Sequence, residues 1–289
     1  MNQAPSLSIR ALKGVVLTLC CALVLVPFVG VVSTSLAGQE QVIKSGGFVL
    51  LPDSVSLAAY RSIFAGGVVT RAIMVSLFIT IVGTAISLAC TAMLAYSLSR
   101  PGSLAHQPLL MVVLLSLLFT PGIIPSYLMV KQMGLLDSYW ALIIPTAVSG
   151  FNTIVMRAFF MQLPGELLES ARIDGAGETT ILLRIVLPLS KAVMAVIGLF
   201  YAVGYWNAFF NAMLYINDNS KWPLQLVLRT YVVNNAMLGT DQLGAGEALP
   251  PQQSIQMAIL VIALVPILLV YPFLQRHFAK GVLTGAIKG

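Results

Sequence analysis

The chain has 289 residues, of which 58% are hydrophobic and only 9% are charged. A soluble domain carries about 25% charged residues, so this composition excludes a soluble enzyme and indicates an integral membrane protein. The formal charge of +6 does not indicate a nucleic-acid partner, because the sixteen lysines and arginines are spread over short segments rather than gathered in one patch.

Six apolar segments are each long enough to cross about 30 Å of hydrocarbon, which takes about 20 helical residues. They cover residues 12–36, 71–98, 108–130, 139–161, 191–215 and 254–275. The sequence therefore predicts an all-α, polytopic membrane protein with six transmembrane helices, forming a single transmembrane domain over residues 1–289.

The first segment could instead be a secretory signal peptide, since Ser35-Leu36-Ala37 has the small residues of a cleavage site. Its apolar core runs from Val15 to Val32 and is longer than the usual stretch of about 7–15 residues. We therefore expect a retained helix.

The distribution of lysine and arginine predicts the orientation, because these residues concentrate on the cytoplasmic side. With the N-terminus inside, the inner segments hold ten of them: Arg10, Lys13, Arg100, Arg157, Arg172, Arg184, Lys191, Arg276, Lys280 and Lys288. The outer segments hold the other six: Lys44, Arg61, Arg71, Lys131, Lys221 and Arg229. Both termini are therefore expected in the cytoplasm.

An outer amphipathic helix is predicted between the first two spans. The stretch "SLAAYRSIF" (56–64) places four apolar or aromatic side chains on one helical face: Leu57, Tyr60, Ile63 and Phe64.

The third span contains "FTPGIIPSYL" (119–128), which predicts a broken helix. Pro121 and Pro125 each remove a backbone donor, and Gly122 weakens the helix between them. Such a break either exposes backbone polar groups to a substrate or merely kinks a packed helix, and the sequence leaves both readings open.

The fifth span carries a polar stripe, with Gly204, Asn207, Asn211 and Tyr215 at helical spacing. These side chains should face other helices or a wet cavity, because amides facing lipid are left unsatisfied. Interhelical hydrogen bonding and a substrate path fit equally well. The predicted path residues are Tyr127, Asn152, Tyr205, Trp206, Asn207, Asn211 and Tyr215.

Several kinds of site are missing from the sequence. No ionisable side chain lies deep in a span, whereas an ion-driven carrier usually keeps a coupling charge there. There is no phosphate-binding GxxxxGK[ST] loop, no HExxH and no CxxC. We therefore expect no catalytic residue, no metal site, no cofactor bound by this chain, and an energy source in another subunit.

The stretch "PGELLESARIDGAGETTILLRIVLP" (164–188) is a polar island between the fourth and fifth spans. Pro164 and Glu166 are typical of a helix start, and Asp174-Gly175 is typical of its end. Glu169 and Arg172, three residues apart, are expected to pair on its surface.

The island's helix is also expected to have an apolar side made of Leu167, Leu168 and Ala171. A second helical run should follow Gly177 and re-enter the membrane, with an interruption at Pro188. We expect nothing else in the chain to cover the apolar side, so the sequence predicts that this segment docks on a soluble partner.

The island resembles the hallmark of permease subunits in bacterial binding-protein-dependent ABC importers: E-A-A, three residues, G, nine residues, I-x-L-P. The matching residues are Glu169, Ser170, Ala171, Gly175 and the stretch Ile185-Val186-Leu187-Pro188, with Ser170 in place of the commoner alanine. The longer form E-x-A-x-x-D-G-A, which adds Asp174 and Ala176, is similar to the carbohydrate-uptake branch. The stretches "YWNAFFNAMLYI", "WPLQLVLR" and "QRHFAKGVLTGAIKG" resemble maltose-permease-like proteins, particularly those for oligosaccharides derived from polysaccharides.

The resemblance implies a permease subunit that is not an enzyme and forms half of a translocation path for a carbohydrate in the bacterial inner membrane. A second homologous permease, two ATPase subunits that bind ATP and Mg²⁺, and an extracytoplasmic binding protein would be its partners. The coupling residues would be Glu169, Ser170, Ala171, Arg172, Asp174 and Gly175. The C-terminal cytoplasmic tail, 276–289, would reach toward the ATPases. Permeases for other solutes and ion-coupled secondary carriers remain alternatives.

Overall fold

The computed structural model describes residues 7–100, 102–103, 105–234 and 250–286. Within these residues the regular structure is helical, and extended backbone pairs only in an isolated bridge between Ala37 and Val55. The α-helices in chain order are α1 (Leu7–Leu36), α2 (Gln39–Lys44), α3 (Ala58–Gly66), α4 (Val68–Leu98), α5 (His106–Leu118), α6 (Ile123–Gln132), α7 (Trp140–Ile143), α8 (Gly150–Met161), α9 (Gly165–Ile173), α10 (Glu178–Ile181), α11 (Leu187–Leu189), α12 (Lys191–Trp206), α13 (Phe209–Tyr215), α14 (Leu224–Leu228) and α15 (Gln252–Ala286). The prediction of an all-α chain is confirmed.

Shorter helical turns extend several of these helices. The 3₁₀ turns are Ile144–Thr146 and Asn219–Lys221, and the π-helical turns are Leu182–Val186 and Arg229–Val233. The first π-helical turn joins α10 to α11, so residues 178–189 form one helical run.

Three helices are long and apolar enough to cross a membrane: Ser8–Leu36, Val68–Leu98 and Gln252–Pro272. Two bent pairs pass the same test together, Trp140–Thr146 with Gly150–Met161 at 50° and Glu178–Leu189 with Lys191–Trp206 at 87°. The chain is therefore a multi-pass membrane protein with three to five candidate spans. The count of six and the orientation of the termini stay predictions.

The third predicted span is broken as expected. Helix α5 ends at Leu118, residues 119–122 are not helical, and α6 begins at Ile123. Pro125 lies in the first turn of α6, where its missing N–H costs no intrahelical hydrogen bond. With 13 residues, α5 is only about 20 Å long and does not cross the hydrocarbon by itself.

Two other predicted spans are not the continuous helices that the sequence suggested. The fourth bends before Ser149, whose side chain caps α8 by accepting a hydrogen bond from the Asn152 backbone N–H. The fifth ends at Trp206, because Asn207 and Ala208 leave the helical conformation before α13 begins. The prediction that Gly204, Asn207, Asn211 and Tyr215 share one helical face is therefore wrong.

The chain divides into two compact units, residues 1–71 with 228–265 and residues 72–227 with 266–289. In the first unit the chain after α1 folds back onto the end of that helix. The Ser33 hydroxyl donates to the Leu50 carbonyl (2.8 Å), and the Thr34 hydroxyl accepts from the Val49 N–H (2.8 Å). The prediction of one permease domain over residues 1–289 stays a prediction.

Helix α3, also in the first unit, confirms the helix predicted in residues 56–64, and its outer position stays a prediction. Ala59 and Ile63 are buried, whereas Leu57 and Phe64 are exposed. The predicted tail, 276–289, begins inside α15, and its residues 287–289 lie outside the described part of the chain.

The core of the second unit is a cluster of buried apolar side chains from several helices. Its fully buried members include Ile79, Ile143, Met156, Phe160, Leu168, Ile181 and Ile197. Helices α4 and α12 approach closely within this unit, because Gly83 leaves room for the Tyr205 ring: a Cβ at Gly83 would lie 2.8 Å from two ring atoms.

Replacing Gly83 with alanine is expected to destabilise the protein by about 1–3 kcal/mol, the usual cost of overpacking. The matched control is Gly204→Ala on α12, where a Cβ meets no atom within 4 Å. That change should be neutral or stabilise by up to about 1 kcal/mol through helix propensity. Melting temperatures of the detergent-solubilised variants measure both effects. Equal stability of the two variants would contradict the close approach.

Candidate functional site

The polar island folds into a short helix with well-defined ends. Helix α9 starts directly after Pro164, with Glu166 in its first turn. Gly175 has φ +83°, the left-handed conformation that glycine adopts without strain. The Gly175 N–H donates to the Arg172 carbonyl (3.0 Å) and the Ala176 N–H to the Ala171 carbonyl (2.9 Å), which is a Schellman cap.

One face of α9 packs against the rest of the chain. Leu168 and Ala171 are buried in the core cluster of the second unit. The expectation that this chain offers nothing to cover the apolar side is therefore wrong. Leu167 is 46% exposed and Ile173 is 85% exposed, so apolar surface remains available beside the buried face.

The other predicted coupling residues lie on the open side of α9. Glu169, Ser170, Arg172 and Asp174 are all exposed, and Gly175 is exposed at the turn. The helix therefore presents two carboxylates, a hydroxyl and a guanidinium, anchored from behind by Leu168 and Ala171.

Arg172 pairs with a different carboxylate from the one predicted. Its Nε donates to Glu178 Oε1 at 2.8 Å, so the expected Glu169–Arg172 pair is replaced by a contact across the glycine turn. The other oxygen of Glu178 accepts a hydrogen bond from the Tyr96 hydroxyl near the end of α4. The Arg100 guanidinium carbon lies 5.1 Å from the centroid of the Tyr96 ring.

Helices α4 and α12 are joined by two pairs of buried hydroxyl groups, one helical turn apart. The Ser87 and Tyr205 hydroxyls lie 2.7 Å apart, and the Thr91 and Tyr201 hydroxyls also lie 2.7 Å apart. Ser87, Thr91 and Tyr201 are not among the residues predicted from the sequence. Their signal is the spacing of Ser87 and Thr91, four residues apart on α4 and so on one helical face.

The same two tyrosines reach the bend of the fourth span. The Tyr201 hydroxyl accepts from the Ser149 N–H at 2.9 Å, and the Tyr205 hydroxyl donates to the Ile143 carbonyl at 3.3 Å. The Thr146 hydroxyl donates to the Tyr205 hydroxyl at 3.3 Å. Helix α12 is therefore linked by directional contacts to α4 and to both sides of the bend.

The predicted substrate-path residues do not form one surface. Tyr205, Trp206, Tyr215 and Asn152 are buried. In particular, the Tyr205 hydroxyl bonds within the chain, so its ring does not stand as an open stacking surface in this structure.

The remaining path candidates lie near the two breaks. Tyr127 stacks on Tyr215 with ring centroids 6.3 Å apart, which joins α6 to α13. Asn207 is exposed, and its side-chain amide donates to the carbonyl of Val203 in the last turn of α12 (2.9 Å). Asn211 is half-buried. Their roles in substrate contact stay predictions.

A polar clamp lies beside the Tyr127–Tyr215 stack. Asp137, with φ +60°, accepts hydrogen bonds from the backbone N–H groups of Asn217 (3.2 Å) and Asp218 (3.1 Å). The Lys221 ammonium lies 3.2 Å from its second oxygen. The hydrogen bonds from Asp218 and Lys221 lower the pKa of Asp137, and the hydrogen bond to Asp137 raises the pKa of Lys221. Both groups are thus charged at neutral pH, and their contacts hold the loop at Asp137 to the loop formed by residues 217–221.

Among the described residues, no group of three or more His, Cys, Asp or Glu side chains is placed to hold a metal ion.

Comparison with known proteins places these features in a family. Residues 90–284, more than half of the chain, match the family described as the binding-protein-dependent transport system inner membrane component. The polygalacturonan/rhamnogalacturonan transport system permease protein YtcP of Bacillus subtilis is 47% identical over 265 residues, which cover 91% of this chain and 92% of that protein. Protein LplC of the same organism is 48% identical over 268 residues, covering 93% and 90%.

A solved structure agrees with these sequence relatives. One chain of a bacterial ABC transporter involved in the import of the acidic polysaccharide alginate is similar with a TM-score of 0.87 and 27% identity, over 96% of this chain and 100% of that chain. The EAA motif and the coupling helix are typical of such proteins. The chain belongs to the binding-protein-dependent transport system inner membrane component family, and it is a permease subunit of an ABC importer, not an enzyme.

Proposed function

We propose that this chain forms one half of an inward path for an acidic oligosaccharide in the bacterial inner membrane. A second, homologous permease completes the path, and an extracytoplasmic binding protein delivers the sugar. Two ATPase subunits bind ATP and Mg²⁺, and one of them docks on α9, while this chain binds no cofactor of its own.

The exposed side of α9 is the observation that carries this proposal. Glu169, Ser170 and Asp174 are open to a partner, whereas Leu168 and Ala171 fix the helix to the core. A partner that pushes on α9 therefore moves the helices packed behind it as a rigid body. The missing coupling charges in the apolar segments agree with an external energy source.

Six spans with both termini in the cytoplasm fit this proposal. The excess of lysine and arginine on the inner side then puts the island between spans four and five on the side where ATP is available. In this arrangement the third span consists of the broken pair α5 and α6, the fourth is the bent pair of Trp140–Thr146 and Gly150–Met161, and the fifth runs through α12 and α13.

The acidic nature of the sugar is supported by the relatives. One is named for polygalacturonan and rhamnogalacturonan, and the structural neighbour is involved in the import of the acidic polysaccharide alginate. Uronate carboxylates need cationic partners, and this chain has exposed cations in predicted outer segments, Arg71 and Lys131. We propose that Arg71 and Lys131 attract the acidic substrate at the outer side, while hydroxyl and amide groups line its path through the membrane.

Uptake by the complete transporter in proteoliposomes tests the substrate class. Labelled trigalacturonate should be taken up in the presence of ATP and its binding protein, and unlabelled maltotriose of the same chain length should not compete. Arg71→Gln and Lys131→Gln should each slow this uptake, whereas Lys13→Gln on the inner side should not. Uptake of maltotriose alone would contradict the acidic class, and uptake of only an amino acid or peptide would contradict a carbohydrate substrate.

A further inference from the structure

One carboxylate joins the coupling segment to a membrane helix. Glu178 is the first residue of α10 and uses its two oxygens for two different elements. Oε1 accepts from Arg172 Nε in α9 at 2.8 Å, and Oε2 accepts from the Tyr96 hydroxyl in α4. Through Glu178, the C-terminal turn of α9 is held to the end of the long helix α4. We call these two contacts of Glu178 the joint.

The joint is too weak to contribute much to the folding stability of the protein. The Arg172 and Glu178 side chains are 42% and 56% exposed, and ion pairs this exposed add little to folding free energy. The hydrogen bond to Glu178 from Tyr96, whose side chain is buried, is charge-assisted and therefore stronger and more directional than a neutral one. The joint therefore serves to fix the orientation of α9 relative to α4.

The orientation of α9 depends on the joint because the other contact between α9 and the rest of the chain is apolar. Leu168 and Ala171 hold the helix to the core by burial, and because burial is non-directional it does not by itself set the rotation of α9 about that contact. Breaking the Glu178 contacts would leave α9 docked but free to rotate against α4. A movement that a partner imposes on α9 would then rotate α9 alone and would not reach α4.

The joint also continues into the hydroxyl contacts along α4. Thr91 and Ser87, on the same helix as Tyr96, bond to Tyr201 and Tyr205 of α12. A displacement that reaches α4 through Tyr96 is therefore shared with α12 by a chain of directional contacts.

We propose that Glu178, held by Arg172 and Tyr96, is the positioning residue that transmits movement of α9 to α4 and α12. This inference rests on the proposed function, since the movement of α9 comes from an ATPase partner. Glu178 does not touch the substrate and acts through the two helices that it joins.

The test uses the complete transporter in proteoliposomes and measures sugar uptake and ATP hydrolysis in the same preparation. In Glu178→Gln and in Tyr96→Phe, ATP hydrolysis should stay within about twofold of the wild type, while sugar moved per ATP should fall about tenfold, the size expected for losing one hydrogen bond to a charged group. The double variant should fall no further than Glu178→Gln, because both changes break the same joint. Glu178→Asp should recover part of the ratio.

Matched controls come from the first unit. Glu40→Gln removes a carboxylate from an exposed ion pair with Lys44 (3.8 Å), and Tyr60→Phe removes a hydroxyl bonded to Ser35 (2.8 Å). Both should keep the wild-type ratio. Wild-type ratios in Glu178→Gln and Tyr96→Phe, or a proportional fall of uptake and hydrolysis, would overturn the proposal.

Amide hydrogen exchange separates this inference from the proposed function. Exchange in residues 165–176 should rise several-fold in Glu178→Gln while α12 stays protected, whether or not the sugar is the right one. Unchanged exchange would overturn the joint itself. A wild-type complex that moves no sugar would contradict the proposed function and leave the exchange result to decide the joint.

Discussion

Replacing Glu169 with lysine is expected to reduce ATP-driven uptake by at least about 100-fold. We expect Glu169 to pair with a basic group of the docked ATPase, so a lysine at this position would set like charges against each other. Glu169 is exposed on α9 and lies away from the buried Leu168 and Ala171. Exposed substitutions of this kind change folding free energy by about 0.5 kcal/mol or less. The variant should therefore insert and accumulate normally.

Uptake and membrane protein level, measured side by side, check this prediction. Glu169→Gln removes the charge without reversing it and should give an intermediate loss. The matched control is a charge reversal at Glu40, an exposed carboxylate that we place in no coupling contact. Normal uptake by Glu169→Lys at normal protein level would contradict the docking role of α9.

Replacing Gly175 with proline is expected to abolish coupled uptake. The residue has φ +83°, whereas proline is fixed near −65°, so the turn cannot form. Proline also removes the N–H that donates to the Arg172 carbonyl. Both effects destroy the Schellman cap and displace Arg172 from Glu178, at a local cost of about 3 kcal/mol or more.

Two companion variants show whether the effect comes from the turn. Gly175→Ala keeps the N–H and bears only the left-handed strain of about 1–2 kcal/mol, so it should retain part of the uptake. Gly165→Pro places proline at the first position of α9, where it is tolerated, and should behave like the wild type. Sugar uptake per ATP hydrolysed is the measurement, and equal uptake by Gly175→Pro and Gly165→Pro would contradict the account.

The ends of α9 and the break of the third span could be predicted because each depends only on residues that are neighbours in the sequence. Gly175 alone suffices for a left-handed cap, and Pro121 with Gly122 suffices to interrupt a helix. The bend before α12 follows Pro188 by two residues and agrees with the interruption predicted there. The bend before α8 could not be predicted in the same way, because Ser149, which caps α8, occurs in straight helices as well.

The contacts of the coupling segment were beyond a local reading for a different reason. The i, i+3 rule suggested Glu169 as the partner of Arg172, but the glycine turn brings Glu178 closer in space, six positions along the chain. Burial of Leu168 likewise depends on side chains distant in sequence, such as Ile181 and Ile197, which share its cluster. The carboxylate that joins α9 to α4 is therefore visible only in the folded chain.

We propose that this permease is driven by an ATPase that acts through α9. The most direct test is uptake of labelled sugar into proteoliposomes that hold the two permeases and the binding protein, with and without the ATPase subunits. We predict uptake only when the ATPases and ATP are both present, and none from a proton or sodium gradient alone. Uptake on an ion gradient without the ATPases would contradict the account and indicate a secondary carrier.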